Sequence, residues 1–201
     1  MYLNSTITDR CIFFKNRGKG QLRMDPIGMV HGRFQPFHLE HLDYVLSGHK
    51  RCQRLIIGIT NPEPSEYIFN PASSHRHLQR SNPFTYFARM EMIRRSLLDL
   101  SLDMDLITFV PFHINDQQKW AHYLPRAEVV VQYVRVFSQW EEEKLAKFRA
   151  FGFKVRTIDS GMQKGITATQ VRAALSEKEN WQILVPEATA RIIEKIEQGL
   201  L

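Results

Sequence analysis

Ten residues constrain this chain more than any other stretch: Gly32-Arg33-Phe34-Gln35-Pro36-Phe37-His38-Leu39-Glu40-His41. The apolar run before them, Ile27-Gly28-Met29-Val30, reads as a buried strand over about residues 26–31. After them Leu39, Leu42, Val45 and Leu46 recur at helical spacing, predicting a helix over about 38–47 that ends near Gly48. The decapeptide is therefore a strand end, a tight turn and a helix opening. His38 and His41 share the first turn and lean toward the helix N-terminus. Free backbone N–H groups and the positive end of the helix dipole gather there, which suits a phosphate. Gly32 lets backbone approach a ligand closely, and Arg33 adds a fixed cationic fork. The stretch is built for a nucleotide.

The rest of the chain alternates strand and helix. Arg54–Ile59, Leu106–Pro111, Val129–Val131 and Lys154–Ile158 read as further strands, the first a continuous apolar run of the kind buried on both faces of a parallel sheet. Asn82 is expected to cap a helix with Pro83 at its first position, turning Phe87, Met90, Ile93 and Leu97 inward. Residues 115–124 suit a short helix bearing Trp120. Ser138-Gln139-Trp140-Glu141 has the pattern of a capping box, opening a helix that Gly152 closes. Thr167-Ala168-Thr169-Gln170 is a second capping box, and Ile192, Ile193 and Ile196 form the buried stripe of a final helix. The polar loop from Thr60 to Ser81 is too long for a mere connection and is read as a substrate lid, with His75 and His77 solvated within it. This order predicts one α/β domain over residues 24–201, a doubly wound, Rossmann-like parallel sheet with C-terminal helices. Ligands of such sheets lie beyond the strand C-termini, where both capped helices would begin.

Two hundred and one residues suffice for one full core. Residues 1–23 are set apart as an extension: Cys11-Ile12-Phe13-Phe14 suits a short strand and Lys15–Gly20 a polar loop. The net charge of +6 is scattered, which fits attraction of small polyanions and gives no nucleic-acid tract. Cys11 and Cys52 have neither metal-ligand nor redox spacing, and no apolar run reaches membrane-spanning length. A cytoplasmic protein without nucleic-acid or membrane partners is expected, with a homo-oligomer left open.

Gly32–His41 resembles the G-R-F-Q-P-x-H-x-G-H signature of nicotinamide mononucleotide (NMN) adenylyltransferases, especially the archaeal type, within the nucleotidyltransferase superfamily that shares the HxGH motif. Asn82-Pro83-Phe84-Thr85 with Arg89, Met92 and Ile93 is similar to that family's second segment. Ile166-Thr167-Ala168-Thr169-Gln170-Val171-Arg172 is similar to its I-S-x-T-x-I-R signature, and Trp181 with Leu184-Val185-Pro186 to its ending. The joint match spans about residues 26–197. The resemblance implies transfer of a nucleoside monophosphate from ATP or CTP to a phosphorylated small-molecule acceptor, releasing pyrophosphate. It implies that His38, His41 and Arg172 are catalytic, and that Gly32, Arg33, Phe34, Glu40, Ile166, Thr167 and Thr169 hold the nucleotide. It places Asn115 and Trp120 at the acceptor. It also implies a magnesium ion held mainly by the triphosphate, since no carboxylate cluster offers a protein cage and no residue is assigned to metal.

Two departures bear on substrate choice. The family's glycine between the histidines is Glu40 here; a carboxylate ~6 Å from one phosphate charge meets repulsion of roughly 3 kcal/mol at an effective dielectric near 20. It must point away, be offset by Arg33 or magnesium, or accept a hydrogen bond from the base or acceptor. The archaeal Gly-Asn pair after the fourth strand is replaced by Val131-Gln132-Tyr133-Val134-Arg135. Three readings follow: ATP with NMN, CTP with another phosphorylated or phosphonate metabolite, or a non-catalytic nucleotide-binding regulator. The intact His38, His41, Thr169 and Arg172 weigh against the third.

Overall fold

A computed structural model describes residues 24–67, 77–137, 139–158 and 165–201, with the side chains of residues 139 and 140 left out. Strands β1 (Asp25–Gly32), β2 (Cys52–Thr60), β3 (Ile107–Phe112), β4 (Val130–Val134) and β5 (Lys154–Thr157) form one sheet in the order β3-β2-β1-β4-β5. Every pairing is parallel. The chain winds outward from β1 to β3, returns to β1's other side and continues to β5. The switch point therefore lies between β1 and β4, and a ligand crevice is expected at their C-terminal ends. The α/β reading from sequence holds, with strand limits moved by a few residues.

Two cores cover the sheet. Helices α1 (Leu39–His49), α2 (Tyr86–Asp99), α5 (Ala168–Ser176) and α6 (Glu187–Glu197) pack over one face, around Val30, Leu55, Ile57 and Ile93. Helices α3 (Trp120–Tyr123) and α4 (Gln139–Phe151) cover the other, around Met29, Ile56, Phe112 and Phe148. The alternation Met29–Val30 along β1 feeds one core and then the other, as the pleat requires. Helix α1 ends at His49, one residue past Gly48, as expected. A Cβ on Gly48 would sit 2.5 Å from Cγ1 of Val30, so its role is close packing of the helix on β1. Gly152 closes α4 as expected, at φ 101.

Helix α2 starts later than its sequence signal. Its N-cap is Thr85, whose side chain accepts from the Ala88 N–H, and not Asn82. The cause lies far away in sequence: the Gln35 carboxamide takes both the Phe84 N–H (3.0 Å) and the Phe84 carbonyl (2.8 Å), so neither enters the helix. The inward face is then Ala88, Arg89, Met92, Ile93, Ser96 and Leu97, Met90 is partly buried, and Phe87 is 54% exposed. Of the final stripe, Ile192 and Ile193 are buried and Ile196 partly so. The Ser138 capping box, His75 and the middle of the expected lid lie outside the described residues. The ends of that loop form tight turns at Pro64–Glu66 and Gln79–Ser81. Among the described residues no helix is long and apolar enough to cross a membrane.

Candidate active site

A cleft of about 440 Å³ opens at the C-terminal edge of the sheet, over the switch point. The turn after β1 shapes its floor. A Cβ on Gly32 would sit 2.9 Å from the Phe34 ring, so only glycine fits there. Phe34 itself has φ 54, a left-handed backbone unusual for an aromatic residue. Arg89 is the strut that over-determines this turn. Fully buried, it donates to the carbonyls of Arg33 (2.8 Å), Thr60 (2.7 Å) and Asn61 (2.9 Å), and burial lowers its pKa to about 10. Arg33 is aimed in turn by the Asn82 side chain at 3.2 Å. Asn82 thus serves the site rather than the helix.

His38 is the N-cap residue of α1, and its ring stacks on His41 at 3.6 Å between centroids. Phe34 and Phe37 flank the His41 ring. Burial, with the Arg172 charge adding to it, takes the His38 pKa down to about 3. Burial first, then His38, lowers that of His41 well below the usual range, with a backbone hydrogen bond at Pro36 opposing. Both imidazoles are therefore neutral at pH 7. Each carries one N–H, and Nδ1 of each is buried without a hydrogen-bond partner. Neutral donors in a dry wall stabilise developing negative charge without adding a second full cation beside Arg172.

The C-terminal signature faces them. The capping box is complete: Thr167 accepts from the Gln170 N–H while Gln170 reaches back to the Thr167 N–H at 2.7 Å. Arg172 donates to the Gln35 carbonyl (2.6 Å) and to Thr169 (3.2 Å), which ties α5 to the β1 turn across the cleft. Gly32, Arg33, Phe34, His38, Glu40 and His41 line one side; Ile166, Thr167 and Thr169 line the facing side, and Asn115 the far end. Arg172 lies behind this lining rather than in it.

Glu40 and Arg135, read separately as departures, are in contact. Arg135 donates to the Glu40 carbonyl (3.0 Å) and to Asp43 (2.6 Å), and lies 3.7 Å from the Glu40 carboxylate. The offset comes from Arg135 and not from Arg33. The other carboxylate oxygen of Glu40 reaches within 2.7 Å of where a Gly165 Cβ would sit, so the side chain spans the gap between α1 and the segment leading into α5. Trp120 corrects the acceptor expectation. It is 1% exposed, stacked among Phe112, Phe148, Phe151 and Phe153, donates to the His113 carbonyl, and lines no part of the cleft.

Sequence reading missed one ionic group. Glu66 lines the cleft and is bonded to His113, with Lys119 at 3.5 Å; Glu63 completes a set whose ligand atoms lie within 4.8 Å of one another. Such a mixed nitrogen and oxygen set can hold a divalent cation. It does not suit magnesium, which takes oxygen ligands, and the Lys119 ammonium opposes any cation there. The signal for it was absent locally, because Glu66 and His113 are 47 residues apart.

A family model described as cytidylyltransferase-like matches residues 29–174. The chain belongs to that family. It is a nucleotidyltransferase: its curated relatives include the phosphonoformate cytidylyltransferase of Streptomyces viridochromogenes, 34% identical over 168 residues that cover 84% of this chain and 90% of that protein. They also include the nicotinamide-nucleotide adenylyltransferase of Saccharolobus solfataricus, 31% identical over 178 residues, again covering 84% and 90%. In fold, this nucleotidyltransferase matches a bifunctional NMN adenylyltransferase/ADP ribose pyrophosphatase from Francisella tularensis with a TM-score of 0.63 at 17% identity. That match covers 88% of the present chain and 51% of the other, about half its length.

Proposed function

We infer that this nucleotidyltransferase moves a cytidylyl group from CTP to a small acceptor bearing a phosphonate or phosphate. The observation that carries the reading is the Glu40 carboxylate. It fills space that a glycine would leave open between the two signature helices, which favours a pyrimidine over a purine. A carboxylate accepts hydrogen bonds only, so it favours the exocyclic amino group of cytosine over the carbonyl of uracil. The burial of Trp120 agrees, since it withholds the aromatic face expected to meet a nicotinamide.

In the reaction an ionised acceptor oxygen attacks the α-phosphorus in line. The oxygen–phosphorus bond forms, the bond from the α-phosphorus to the bridging oxygen breaks, and pyrophosphate leaves with that bonding pair. No proton has to be moved, so neutral His38 and His41 serve as N–H donors and no general base is needed. Arg33 and Arg172 neutralise phosphate charge, while Thr167, Thr169 and the N–H groups opening α5 cradle the outer phosphates. A divalent cation, when bound on the triphosphate, supplies further charge neutralisation.

The test crosses CTP and ATP against phosphonoformate and NMN, reading pyrophosphate release by the purified protein with magnesium. Release with CTP and phosphonoformate is expected. Release confined to ATP with NMN would replace this reading by NMN adenylyl transfer.

A further inference from the structure

The cleft has a second half that no signature residue occupies. His38 and His41 pack with Phe34 and Phe37 on the α1 side of the sheet. His31, the penultimate residue of β1, follows Met29 to the other side and packs its ring on Phe112 (5.4 Å) and Phe148 (5.1 Å). It is 6% exposed, yet it lines the cleft, and neither ring nitrogen has a hydrogen-bond partner. The Gln132 carboxamide on β4 approaches the ring as an acceptor that favours its protonated form, short of hydrogen-bond geometry, and its oxygen is buried without another partner. Buried polar atoms are ordinarily paired, and leaving one unpaired is costly. Ile114, Asn115, Glu141 and Lys144 complete this half of the cleft. Burial, with the Lys144 charge second, keeps the His31 ring neutral, so it offers one N–H and one lone pair beside a cation.

We propose that His31 and Lys144 form the subsite for the acceptor's phosphate or phosphonate group, across the sheet edge from the triphosphate. This rests on the reading of the site as a nucleotidyl-transfer centre. With the triphosphate on the two signature helix starts, the opposite half is what remains for the acceptor, and its donors suit anionic oxygens. The two subsites share one cleft: His31 and Gly32, the first residue of the turn that carries the nucleotide, both line it. A dianion bound by the His31 N–H and the Lys144 ammonium keeps an oxygen free to face the α-phosphorus. The shared chemistry is a phosphorus oxyanion, carried either by a small phosphonate or by a nucleoside monophosphate.

The test uses the full chain and three probes without nucleotide: phosphonoformate, NMN and inorganic phosphate. The thermal midpoint of the wild type should rise with at least one probe at millimolar concentration, and the rise should be lost in His31→Leu and in Lys144→Met. Protection by phosphonoformate alone identifies a small phosphonate as the source; protection by NMN alone identifies a nucleotide. Under turnover, His31→Leu should raise the acceptor KM about tenfold or more and leave that of the nucleoside triphosphate within about twofold. His31→Gln, which keeps a donor, should fall between. Protection that survives in Lys144→Met and His31→Leu with unchanged acceptor KM would overturn the subsite, as would a loss confined to triphosphate affinity or protection by no probe. Protection that depends on His31, in a protein that releases no pyrophosphate with any nucleotide, would sustain the subsite and refute the transfer reading instead.

Discussion

The two halves of the cleft are built differently. The half that faces α1 and α5 is lined by two contiguous runs braced from a third: Arg172 on Gln35 and Thr169, Arg33 on Asn82, Arg89 on the Arg33 carbonyl. The other half takes His31 from β1, Asn115 from the segment after β3, and Glu141 and Lys144 from α4, and it leaves both His31 nitrogens unpartnered. Phosphate recognition is a local property, because a glycine turn and a helix start already supply its donors. Acceptor recognition needs opposed walls, which only the folded sheet brings together. On the proposed assignment the first half is braced before a nucleotide arrives, and in the second the His31 ring nitrogens are what an acceptor would meet.

The largest effect should come from breaking the prebuilt half at its centre. His41→Ala is expected to lower kcat about a hundredfold or more in the pyrophosphate-release assay, as loss of one transition-state donor does. Its thermal midpoint should stay within a few degrees of the wild type. Turnover near the wild-type level would mean that the stacked histidines are packing alone. Arg172→Ala should follow, at about thirtyfold in kcat/KM, since it removes both a charge and the tie from α5 to the Gln35 carbonyl. If its nucleotide KM and kcat are unchanged, α5 is held by packing and the arginine is dispensable.

What could be read in advance follows the same division. The β1 turn, the start of α1 and the Thr167 capping box obey spacing rules that operate within a few residues, and all three stand where the sequence puts them. Asn82-Pro83 obeys such a rule equally well and misleads, because Gln35, 49 residues away, captures Phe84 and delays the helix. Trp120 reads as an acceptor residue in sequence, but a ring of phenylalanines from α4 and the segment before β5 encloses it. Glu40 and Arg135 are each visible as departures, while their contact across 95 residues is not. Local pattern carries no information about which distant side chain arrives.

Glu40→Gly sharpens the comparison at the boundary between nucleotide and acceptor. Arg135 keeps Asp43 and the backbone carbonyl of residue 40, so the fold should survive the change. The expected result is a shift of about tenfold in the ratio of kcat/KM for CTP to that for ATP, in favour of ATP, corresponding to about 1.4 kcal/mol. Competition between the two triphosphates measures it directly. An unchanged ratio would place the carboxylate outside the base site and leave Arg135 as its whole purpose.

The smallest effect probes both halves at once, through pH. His31, His38 and His41 all have folded-state pKa values lowered by burial, that of His38 to about 3, against an ordinary value near 6.5. Below pH 6.5 the unfolded chain therefore binds more protons than the folded one. Stability is complete above that pH and is lost as the pH falls toward the folded values, by about 1.4 kcal/mol per pH unit for each histidine. Urea midpoints at pH 7, 6 and 5 should record the slope before most carboxylates titrate. His38→Gln and His31→Gln should each remove about a quarter to a third of it, one from each half, while His49, also lowered by burial, contributes equally to all variants. A bound nucleoside triphosphate separates the halves, because its negative charge favours protonation of His38 and His41. With CTP present the slope should become shallower, and the share removed by His31→Gln should persist. If CTP instead abolishes the His31 share, the triphosphate reaches across the sheet edge and the cleft is one site, not two.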